Sequence, residues 1–396
     1  MKSPLLALAM LVALVVPAHT ETNTNQTVTV VSYYFGNYHP GDPRNVKTKG
    51  PDWSEWELVK NAKPRFPGHQ QPHVPLWGYQ DESQPDVMAQ KIAAAADHGI
   101  SAFIFDWYYY NDGPFLDATV DRGFLQATNN SRIKFAFMWA NHEWHDIHPA
   151  HRGTPPPLLY PGRVTPETFA KICDLLITNY FSRSNYWRID GKPYFSIYEA
   201  NTLVDSFGSV TATRAALDAF RAKAKAAGLP GLHLNGVDWG CNNRQLAHDL
   251  GFDSITSYVW IHHANLPDMA TEYNVVRDQY FDFWGKAATN FGVPFIPNVT
   301  MGWDSSPRAD QTQEFVPDGY PFMHTIKDNT PANFQTALEL AKQRLLAEPN
   351  GLRILNLNCW NEWTEGSYLE PDTVHGLAYL DAIKKVFGTG AQPGEH

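Results

Sequence analysis

The chain has 396 residues, of which 43% are hydrophobic and 18% are charged. This composition excludes a disordered protein, and the length suits one large domain with a sizeable core. The 41 acidic residues outnumber the 31 basic ones, for a formal charge of −10, and no Lys/Arg-rich run occurs. We therefore expect no nucleic-acid partner and no polybasic attachment to membranes.

The N-terminal segment 1–20 has the pattern of a secretory signal peptide. Lys2 provides the positive start, residues 5–16 form an apolar stretch, and Val16 and Ala18 are the small residues that precede a cut after Ala18. The apolar run is too short to span a bilayer comfortably. The pattern predicts an exported protein, secreted or periplasmic, without a membrane span once the segment is cleaved.

Cysteine is sparse in this chain, with Cys173, Cys241 and Cys359 as its three instances. An odd and sparse set cannot form a disulfide framework, and the spacing does not fit a zinc site. At most one bridge is possible, and the favoured interpretation is three small buried side chains. We expect no metal and no cofactor.

Short apolar runs recur along the chain, and an amphipathic stretch follows most of them. The runs are rich in β-branched and aromatic residues, which is typical of strands buried on both faces. There are eight such runs: 28–35, 102–107, 133–139, 194–198, 232–237, 254–260, 294–299 and 352–357. The clearest helical stretches between them are 85–98, 165–180, 211–227 and 333–347.

Eight such units predict an α/β fold, a single (β/α)8 TIM barrel over residues 28–387, with a long loop insertion at 37–84 after the first strand. An open doubly wound sheet is the alternative. Its usual Gly-rich turn is not present in GNYHPGDPRN, the segment after the first run. Residues 388–396 are expected to be a disordered tail. The insertion carries Lys60, Lys63 and Arg65, which either face an anionic substrate or, as we prefer, pair with nearby carboxylates.

Aromatic and acidic residues concentrate where the predicted strands end, which is the face of such barrels that carries chemistry. Tryptophans that merely fill the core have no reason to gather at one end, so we expect an aromatic, acidic cleft. His142 beside Glu143 is also compatible with a metal pair, but isolated histidines are more often structural. The candidate substrate-binding residues are Tyr34, Asp106, Trp107, Trp139, His142, Glu143, Tyr198, Asp238, Trp239, Trp303, Asn361 and Glu370.

The segment after the eighth run, NCWNEWTEGSYLEP, holds three glutamates: Glu362, Glu365 and Glu370. Crowded carboxylates raise at least one pKa, so that one group holds a proton near neutral pH while another accepts one. Glycosidic cleavage needs such an acid and a second carboxylate on the sugar side. A solvated acidic loop is the alternative, but the interleaved Trp363 and Tyr368 argue against it.

The same segment resembles the E-W-x-E-G-x-x-x-E-P motif of glycoside hydrolase family 99, the endo-α-mannosidases, and it is more similar still to the WbsX-like, family 99-like proteins. The similarity extends over nearly the whole chain after the N-terminal segment, and it includes SYYFGNYHP, ISAFIFDWYYYNDGPFL and KFAFMWANHEW. The spacer in E-x-x-E is Trp-Thr here, whereas the second position is commonly His in the endomannosidases. Their substrate specificity is therefore not carried over.

The resemblance implies a retaining mechanism without a glycosyl-enzyme. By position, Glu362 corresponds to the base that activates the sugar's own 2-hydroxyl, which attacks the anomeric carbon and gives a 1,2-anhydro intermediate. Glu365 corresponds to the acid/base on the leaving oxygen. Proximity replaces an enzymic nucleophile when the 2-hydroxyl is trans to the leaving group, as in α-mannose or α-rhamnose. The expected function is therefore a secreted retaining endo-glycosidase that cleaves such sugars in a polysaccharide or oligosaccharide.

Two other functions remain open from the sequence. WbsX-like proteins often carry the name glycosyltransferase, but a transferase needs an activated donor, and this chain has no phosphate-cradling Gly-rich turn. A non-catalytic carbohydrate-binding barrel would keep the aromatic cleft, and it would not need Glu362 and Glu365.

Overall fold

The computed structural model describes residues 27–239, 244–348 and 351–388. The predicted signal peptide, Cys241 and residues 389–396 of the predicted tail lie outside these residues. The barrel strands are numbered here in chain order, with β7 in two pieces: β1 Thr29–Tyr34, β2 Ala102–Tyr110, β3 Lys134–Trp139, β4 Lys192–Ile197, β5 His233–Val237, β6 Ser254–Thr256, β7 Phe295–Ile296 and Asn298–Thr300, and β8 Ile354–Asn358.

These strands form a parallel ring in chain order, and β8 pairs with β1. The ring passes through a break in β7 at Pro297: Phe295–Ile296 pairs with β6, and Asn298–Thr300 pairs with β8. A proline cannot donate to a strand ladder, so the strand changes partner here, while the Pro297 carbonyl still accepts from the Asn356 amide at 3.0 Å. The predicted (β/α)8 barrel is confirmed.

Most strand residues of the ring are buried on both faces, which explains why the strands appear in the sequence as continuous apolar runs. Aromatic side chains of neighbouring strands fill the space around the barrel. The ring centroid of Phe103 lies 5.1 Å from that of Tyr34 and 5.0 Å from that of Trp360, in tilted or edge-on arrangements that aromatic quadrupoles favour.

Helices follow most of the strands, and the four predicted helical stretches are confirmed. Thr165, Ser209 and Thr330 begin three of them, because each side-chain oxygen accepts from the backbone N–H three residues later. The α-helices are α1 Pro43–Lys49, α2 Trp56–Asn61, α3 Pro85–Asp97, α4 Pro166–Leu175, α5 Ala200–Phe207, α6 Val210–Ala226, α7 Arg244–Leu250, α8 Tyr273–Phe291, α9 Pro331–Ala347 and α10 Ala378–Phe387.

The insertion after β1 is ordered and contains α1 and α2. It packs against the loops that follow β7 and β8: the Lys63 amide donates to the Gln311 side chain, and the Leu76 amide donates to the Pro371 carbonyl. Lys60 pairs with Glu57 at 2.8 Å, and Arg65 donates to backbone carbonyls. The insertion thus brings its own side chains to the C-terminal end of the barrel.

Cys173 and Cys359 are buried and free, which agrees with the favoured interpretation for these two. Within the described ranges, the helices are all too short or too polar to cross a membrane.

Candidate active site

A cavity of about 590 Å³ lies at the C-terminal end of the barrel. Its walls come from β2, from the end of β3 and from the segments that follow β1 and β3 to β8, which is where this fold places its chemistry. Eight of the predicted site residues line it: Asp106, His142, Glu143, Tyr198, Trp239, Trp303, Glu362 and Glu365.

The two glutamates of E-x-x-E are placed by a tight hairpin after β8. Residues Asn361–Glu362 pair antiparallel with Ser367–Tyr368, and Trp363–Glu365 form one turn of 3-10 helix between them. Side chains three residues apart lie above one another in a 3-10 turn, so Glu362 and Glu365 face the same space. Gly366 closes the turn at a φ of 63°. A Cβ here would lie 2.8 Å from the Cβ of Asp304, so the turn requires glycine.

A single buried arginine holds both glutamates. Arg308, 5% exposed, follows β7 in a short 3-10 turn. Its Nη1 lies 2.5 Å from Glu365 Oε1, and its Nη2 lies 3.2 Å from Glu362 Oε2. The Tyr320 hydroxyl donates to the same Glu365 oxygen at 2.8 Å, and it accepts a hydrogen bond from Arg308 Nη1. The planar guanidinium therefore links the pair into one charged cluster.

A third carboxylate completes this cluster from the insertion. Glu55 is fully buried and accepts from Arg308 Nε at 2.9 Å and Nη2 at 2.7 Å. Thr364, between the two glutamates of the turn, donates to it at 2.5 Å, and Asn37 donates at 2.7 Å. Burial opposes the charge of Glu55, but Arg308, His148 and these hydrogen bonds outweigh burial and lower its pKa. Glu55 is the ionised partner of Arg308.

Glu362 and Glu365 differ from Glu55, because their pKa values are raised whereas that of Glu55 is lowered. Burial raises the pKa of Glu362 well above its usual range, and the nearby carboxylates Glu365, Glu55 and Asp106 add to this rise against the effect of Arg308. Burial also raises the pKa of Glu365, although Arg308 and the Tyr320 hydrogen bond oppose it. Since the two carboxyls interact, they titrate together, and the cluster favours one shared proton near neutral pH.

Asp106 contributes a further carboxylate from the middle of β2. Tyr258 donates to its Oδ2 at 2.9 Å, while its buried Oδ1 has no hydrogen-bond partner. Burial raises the pKa of Asp106 well above its usual range. An unpartnered oxygen at the cavity is suited to a hydroxyl group of a ligand.

Aromatic rings form the walls of the cavity. Trp144 stacks on His148 with centroids 5.3 Å apart, and burial lowers the pKa of His148 to about 4, so this imidazole is neutral near neutral pH. Trp239 stacks on His262 at 4.3 Å and remains 51% exposed at the rim. Trp303 lines the cavity with an indole N–H that has no partner. Flat apolar faces beside free polar atoms are suited to sugar rings.

Three predicted binding residues lie in the core instead of lining the cavity. Tyr34 is fully buried and donates to Met88, and Trp107 stacks at 5.6 Å on Phe137. The Trp139 indole donates to the Tyr109 carbonyl at 3.3 Å. Each side chain points away from the cavity because successive residues of a strand alternate between faces. The position of a residue near the end of a strand does not show whether its side chain faces the cavity or the surrounding core.

The other three predicted binding residues that do not line the cavity stabilise its surroundings. Asn361 exchanges hydrogen bonds with the backbone of Phe35 at 2.8 and 2.7 Å, which joins β1 to the hairpin. Glu370 accepts from the indoles of Trp360 and Trp363, each at 2.8 Å. It also pairs with buried Lys91. The sixth is Asp238, whose Oδ2 lies 2.8 Å from Nε2 of His263.

Arg308, Tyr320 and Glu55 were not among the predicted site residues. Arg308 and Glu55 lie 253 positions apart, so their local sequence does not connect them. The sequence feature that could have identified Arg308 is its position after the seventh run, because the segments after the strands lie at the same end of the barrel as the E-x-x-E segment. Within the described part of the chain, no group of three or more His, Cys, Asp or Glu residues is arranged to hold a metal ion. His142 contacts the Glu143 carbonyl, while the Glu143 carboxylate pairs with His145.

Solved structures with this fold include glycoside hydrolases. The endo-alpha-mannosidase of family GH99 from Bacteroides thetaiotaomicron superposes with a TM-score of 0.56 at 15% identity, over 90% of this chain and 95% of that one. A second structure, described as a glycoside hydrolase-like protein, has a TM-score of 0.58 at 18% identity, over 92% of this chain and 94% of that one. At such identities the likeness shows the fold alone, which is a TIM barrel.

A sequence relative is protein WxcX of Xanthomonas campestris pv. campestris, which is 27% identical over 382 residues. The match covers 90% of this chain but 49% of WxcX, so the chain spans about half the length of this relative. The family model described as "Glycosyltransferase WbsX" matches residues 30–383. Since that match covers nearly the entire barrel, the chain belongs to the WbsX glycosyltransferase-like family.

Proposed function

We propose that this protein is a retaining endo-glycosidase that cleaves α-linked, manno-configured sugars within a polysaccharide. The observation that carries the proposal is the pair Glu362 and Glu365, which share one side of a 3-10 turn at the cavity and are bound by Arg308. Burial raises the pKa of both carboxyls, as an acid and a base that work together require.

The proposed reaction uses the sugar's own 2-hydroxyl as nucleophile. In the reactive form of the pair, the shared proton is on Glu365 and Glu362 is ionised. Glu362 then takes the proton of that hydroxyl, the 2-oxygen bonds to the anomeric carbon, and the bond from that carbon to the leaving oxygen breaks. Protonated Glu365 gives its proton to the leaving oxygen. Ionised Glu365 then takes a proton from water, the water oxygen bonds to the anomeric carbon, the bond from that carbon to the 2-oxygen breaks, and Glu362 returns its proton to the 2-oxygen. Two inversions give net retention.

Proximity makes this route favourable for one class of sugar. In α-mannose or α-rhamnose the 2-hydroxyl is trans to the leaving group and already lies on the attacking side, so effective molarity replaces an enzymic nucleophile. Asp106, with its free Oδ1, and Trp303, with its free indole N–H, are the proposed contacts to the hydroxyls of this sugar.

The exposed face of Trp239 at the rim is the proposed stacking surface for a further sugar unit, which supports cleavage within a chain. His142, Glu143 and Tyr198 line the cavity between these groups and complete the proposed binding site. Export through the N-terminal segment 1–20 is part of the same proposal, since polysaccharides are met outside the cytoplasm.

A glycosyltransferase is the second candidate, and the observation that favours it is the description of the family that matches the chain. The same pair of glutamates can pass a sugar to a hydroxyl of an acceptor in place of water. A transferase that uses a nucleotide-linked donor would also need a diphosphate site. Among the described residues, Arg308 is the one Lys or Arg that lines the cavity, and it is paired with Glu55, Glu362 and Glu365.

The test is a screen of the purified protein on a panel of polysaccharides, with α-mannans, rhamnose-containing polymers and sulfated algal polymers. Glu365→Gln serves as the inactive comparison and Glu57→Gln, on the exposed surface of α2, as the matched control. We expect the native protein and Glu57→Gln to release oligosaccharides and Glu365→Gln to release none. Equal release by Glu365→Gln would contradict the assigned role.

A polymer that binds all three proteins without being cut would point to a non-catalytic binding barrel. On a substrate that is cut, methylation of the 2-hydroxyl should abolish cleavage. Cleavage of the methylated substrate would exclude the 1,2-anhydro route, and transfer to an added sugar acceptor without release to water would favour the transferase.

A further inference from the structure

We infer that Glu55 and Arg308 are positioning residues for the reacting pair: ionised Glu55 neutralises Arg308, and the pair Glu362 and Glu365 is thereby left with one proton to share. This inference rests on the proposed function in that it takes these two glutamates as the reacting groups. It adds a role for the insertion after β1, which supplies Glu55.

Arg308 lies between three carboxylates. Its guanidinium contacts all of them at once, Glu55 at 2.7 Å, Glu362 at 3.2 Å and Glu365 at 2.5 Å. Its Cζ also lies 5.4 Å from the ring centroid of Phe35, over the face of that ring. One positive charge therefore serves three acidic groups, and it cannot keep all of them ionised in a buried site.

Hydrogen bonding decides which of the three keeps its charge. Glu55 accepts from Arg308 twice, from Thr364 and from Asn37, so both of its oxygens are satisfied. Glu365 accepts from Arg308 and Tyr320 on one oxygen, and Glu362 has the longer contacts with Arg308, at 3.2 and 3.4 Å. Donors concentrate on Glu55, which makes it the ionised member.

The titratable groups around the pair, in the part of the chain that the structure describes, do not supply a second positive charge. Asp106 faces the pair from β2 and adds negative charge, while Tyr38, Tyr198, Tyr258 and Cys359 are buried groups whose raised pKa keeps them neutral. His148 lies 3.8 Å from Glu55, and burial lowers its pKa to about 4. The protonation of Glu362 and Glu365 therefore depends on the positive charge of Arg308, and the negative charge of Glu55 reduces the effect of that charge on them.

The inference predicts a specific effect of Glu55→Gln. Without the Glu55 charge, the full charge of Arg308 acts on Glu362 and Glu365, so both carboxyls lose their protons more easily. The midpoints of the pair should fall by about one pH unit or more. Unfolding would also lower the midpoints, because exposure to water removes the burial that raises both pKa values, so the comparison is made on a Glu55→Gln protein whose backbone amide NMR spectrum is that of the folded protein.

The measurement is a pH titration by NMR of protein with carbon-13 in its glutamate carboxyl groups, which needs no substrate. Signals of the pair are identified by their loss in Glu362→Gln and in Glu365→Gln. The matched control is Glu82→Gln. Glu82 is another fully buried glutamate of the insertion, and it pairs with Lys91 and accepts from the Asn361 side-chain amide, but it does not contact Arg308. We expect lower midpoints in Glu55→Gln and unchanged midpoints in Glu82→Gln.

Unchanged or higher midpoints in Glu55→Gln would overturn the inference, as would an equal shift in Glu82→Gln. If Glu55→Gln does not fold, Glu55→Asp keeps the charge but withdraws it from Arg308, and a smaller fall in the midpoints is expected. Unchanged midpoints there would also overturn the inference. A shifted titration together with a failed polysaccharide screen would refute the glycosidase and leave the charge assignment standing.

Discussion

Replacement of Trp239 by alanine tests the proposed sugar surface at the rim of the cavity. Trp239 is 51% exposed and stacked on His262 at 4.3 Å, so one face of the indole is free while the other is supported. A tryptophan that becomes fully covered buries about 150–250 Å², which leaves on the order of 100 Å² here for a ligand.

A single sugar ring covers one face, roughly half of that area. At about 25 cal/mol per Å², 50 Å² corresponds to about 1.3 kcal/mol. Since about 1.4 kcal/mol is a factor of ten in an equilibrium constant, Trp239→Ala should weaken binding of an oligosaccharide about tenfold. It should raise KM by a similar factor and leave kcat nearly unchanged, because the contact is remote from Glu362 and Glu365.

Binding is measured by calorimetry with the oligosaccharide that the polysaccharide screen identifies, on Glu365→Gln protein so that the ligand is not consumed. Trp77→Ala is the matched control, since Trp77 is part of the insertion and does not line the cavity. Because Trp239 is exposed, its replacement should change the free energy of unfolding by less than about 0.5 kcal/mol. An unchanged Kd in Trp239→Ala, or a loss of kcat with unchanged KM, would refute the reasoning.

Three further predictions concern the frame of the cavity. Hydrogen bonds from His69, Gln71 and Ser306 overcome burial and lower the pKa of Asp304 from 3.8 to about 2. Ionised Asp304 therefore stabilises the fold fully above pH 3.8, and this stabilisation is lost as the pH falls through about 2. Asp304→Asn should therefore cost about 2 kcal/mol at neutral pH and little in strong acid, as measured by denaturant unfolding at several pH values. Gly366→Ala should lower the free energy of unfolding by at least about 2 kcal/mol, because its backbone is left-handed and the new Cβ would clash with Asp304, and it should abolish cleavage. A folded, fully active variant would show that the turn tolerates a Cβ. Because burial raises the pKa of Glu362, ionisation of this group destabilises the fold as pH rises above the unfolded value of 4.5, so Glu362→Gln should raise the unfolding temperature at neutral pH and not in acid. A gain that does not depend on pH would contradict that cause.

The barrel could be predicted from the sequence because its elements are local. Strands buried on both faces appear as apolar runs, helices begin at residues such as Thr165 and Thr330, and eight repeats of this pattern leave few folds to choose from. The positions of Glu362 and Glu365 were predictable for the same reason, since their separation by three residues is a property of the chain itself.

The break in β7 at Pro297 was not predicted as a break. The sequence predicts one strand over the run 294–299, and the ring shows that its two pieces pair with different neighbours. The sequence likewise predicts one strand over 254–260, but β6 ends at Thr256, and Trp260 begins a 3-10 turn.

Whether each tryptophan lies in the core or at the cavity depends on the tertiary structure. Trp107 and Trp139 end predicted strand runs and Trp239 follows one two residues later, yet the first two are buried in the core and the third is exposed at the rim. The direction of a side chain is set by the register of its strand against both neighbours and by the tilt of the ring, and a single run of residues does not contain that information.

The charge state of the pair is a property of the closed barrel alone. The sequence by itself placed two carboxylates three residues apart and predicted that crowding would perturb them. Closure of the ring brings Arg308 from the loop after β7 and Glu55 from the insertion after β1 to the same point, although they lie 253 positions apart. Burial of all four groups then makes their mutual charges decisive, because electrostatic interactions strengthen when water is excluded.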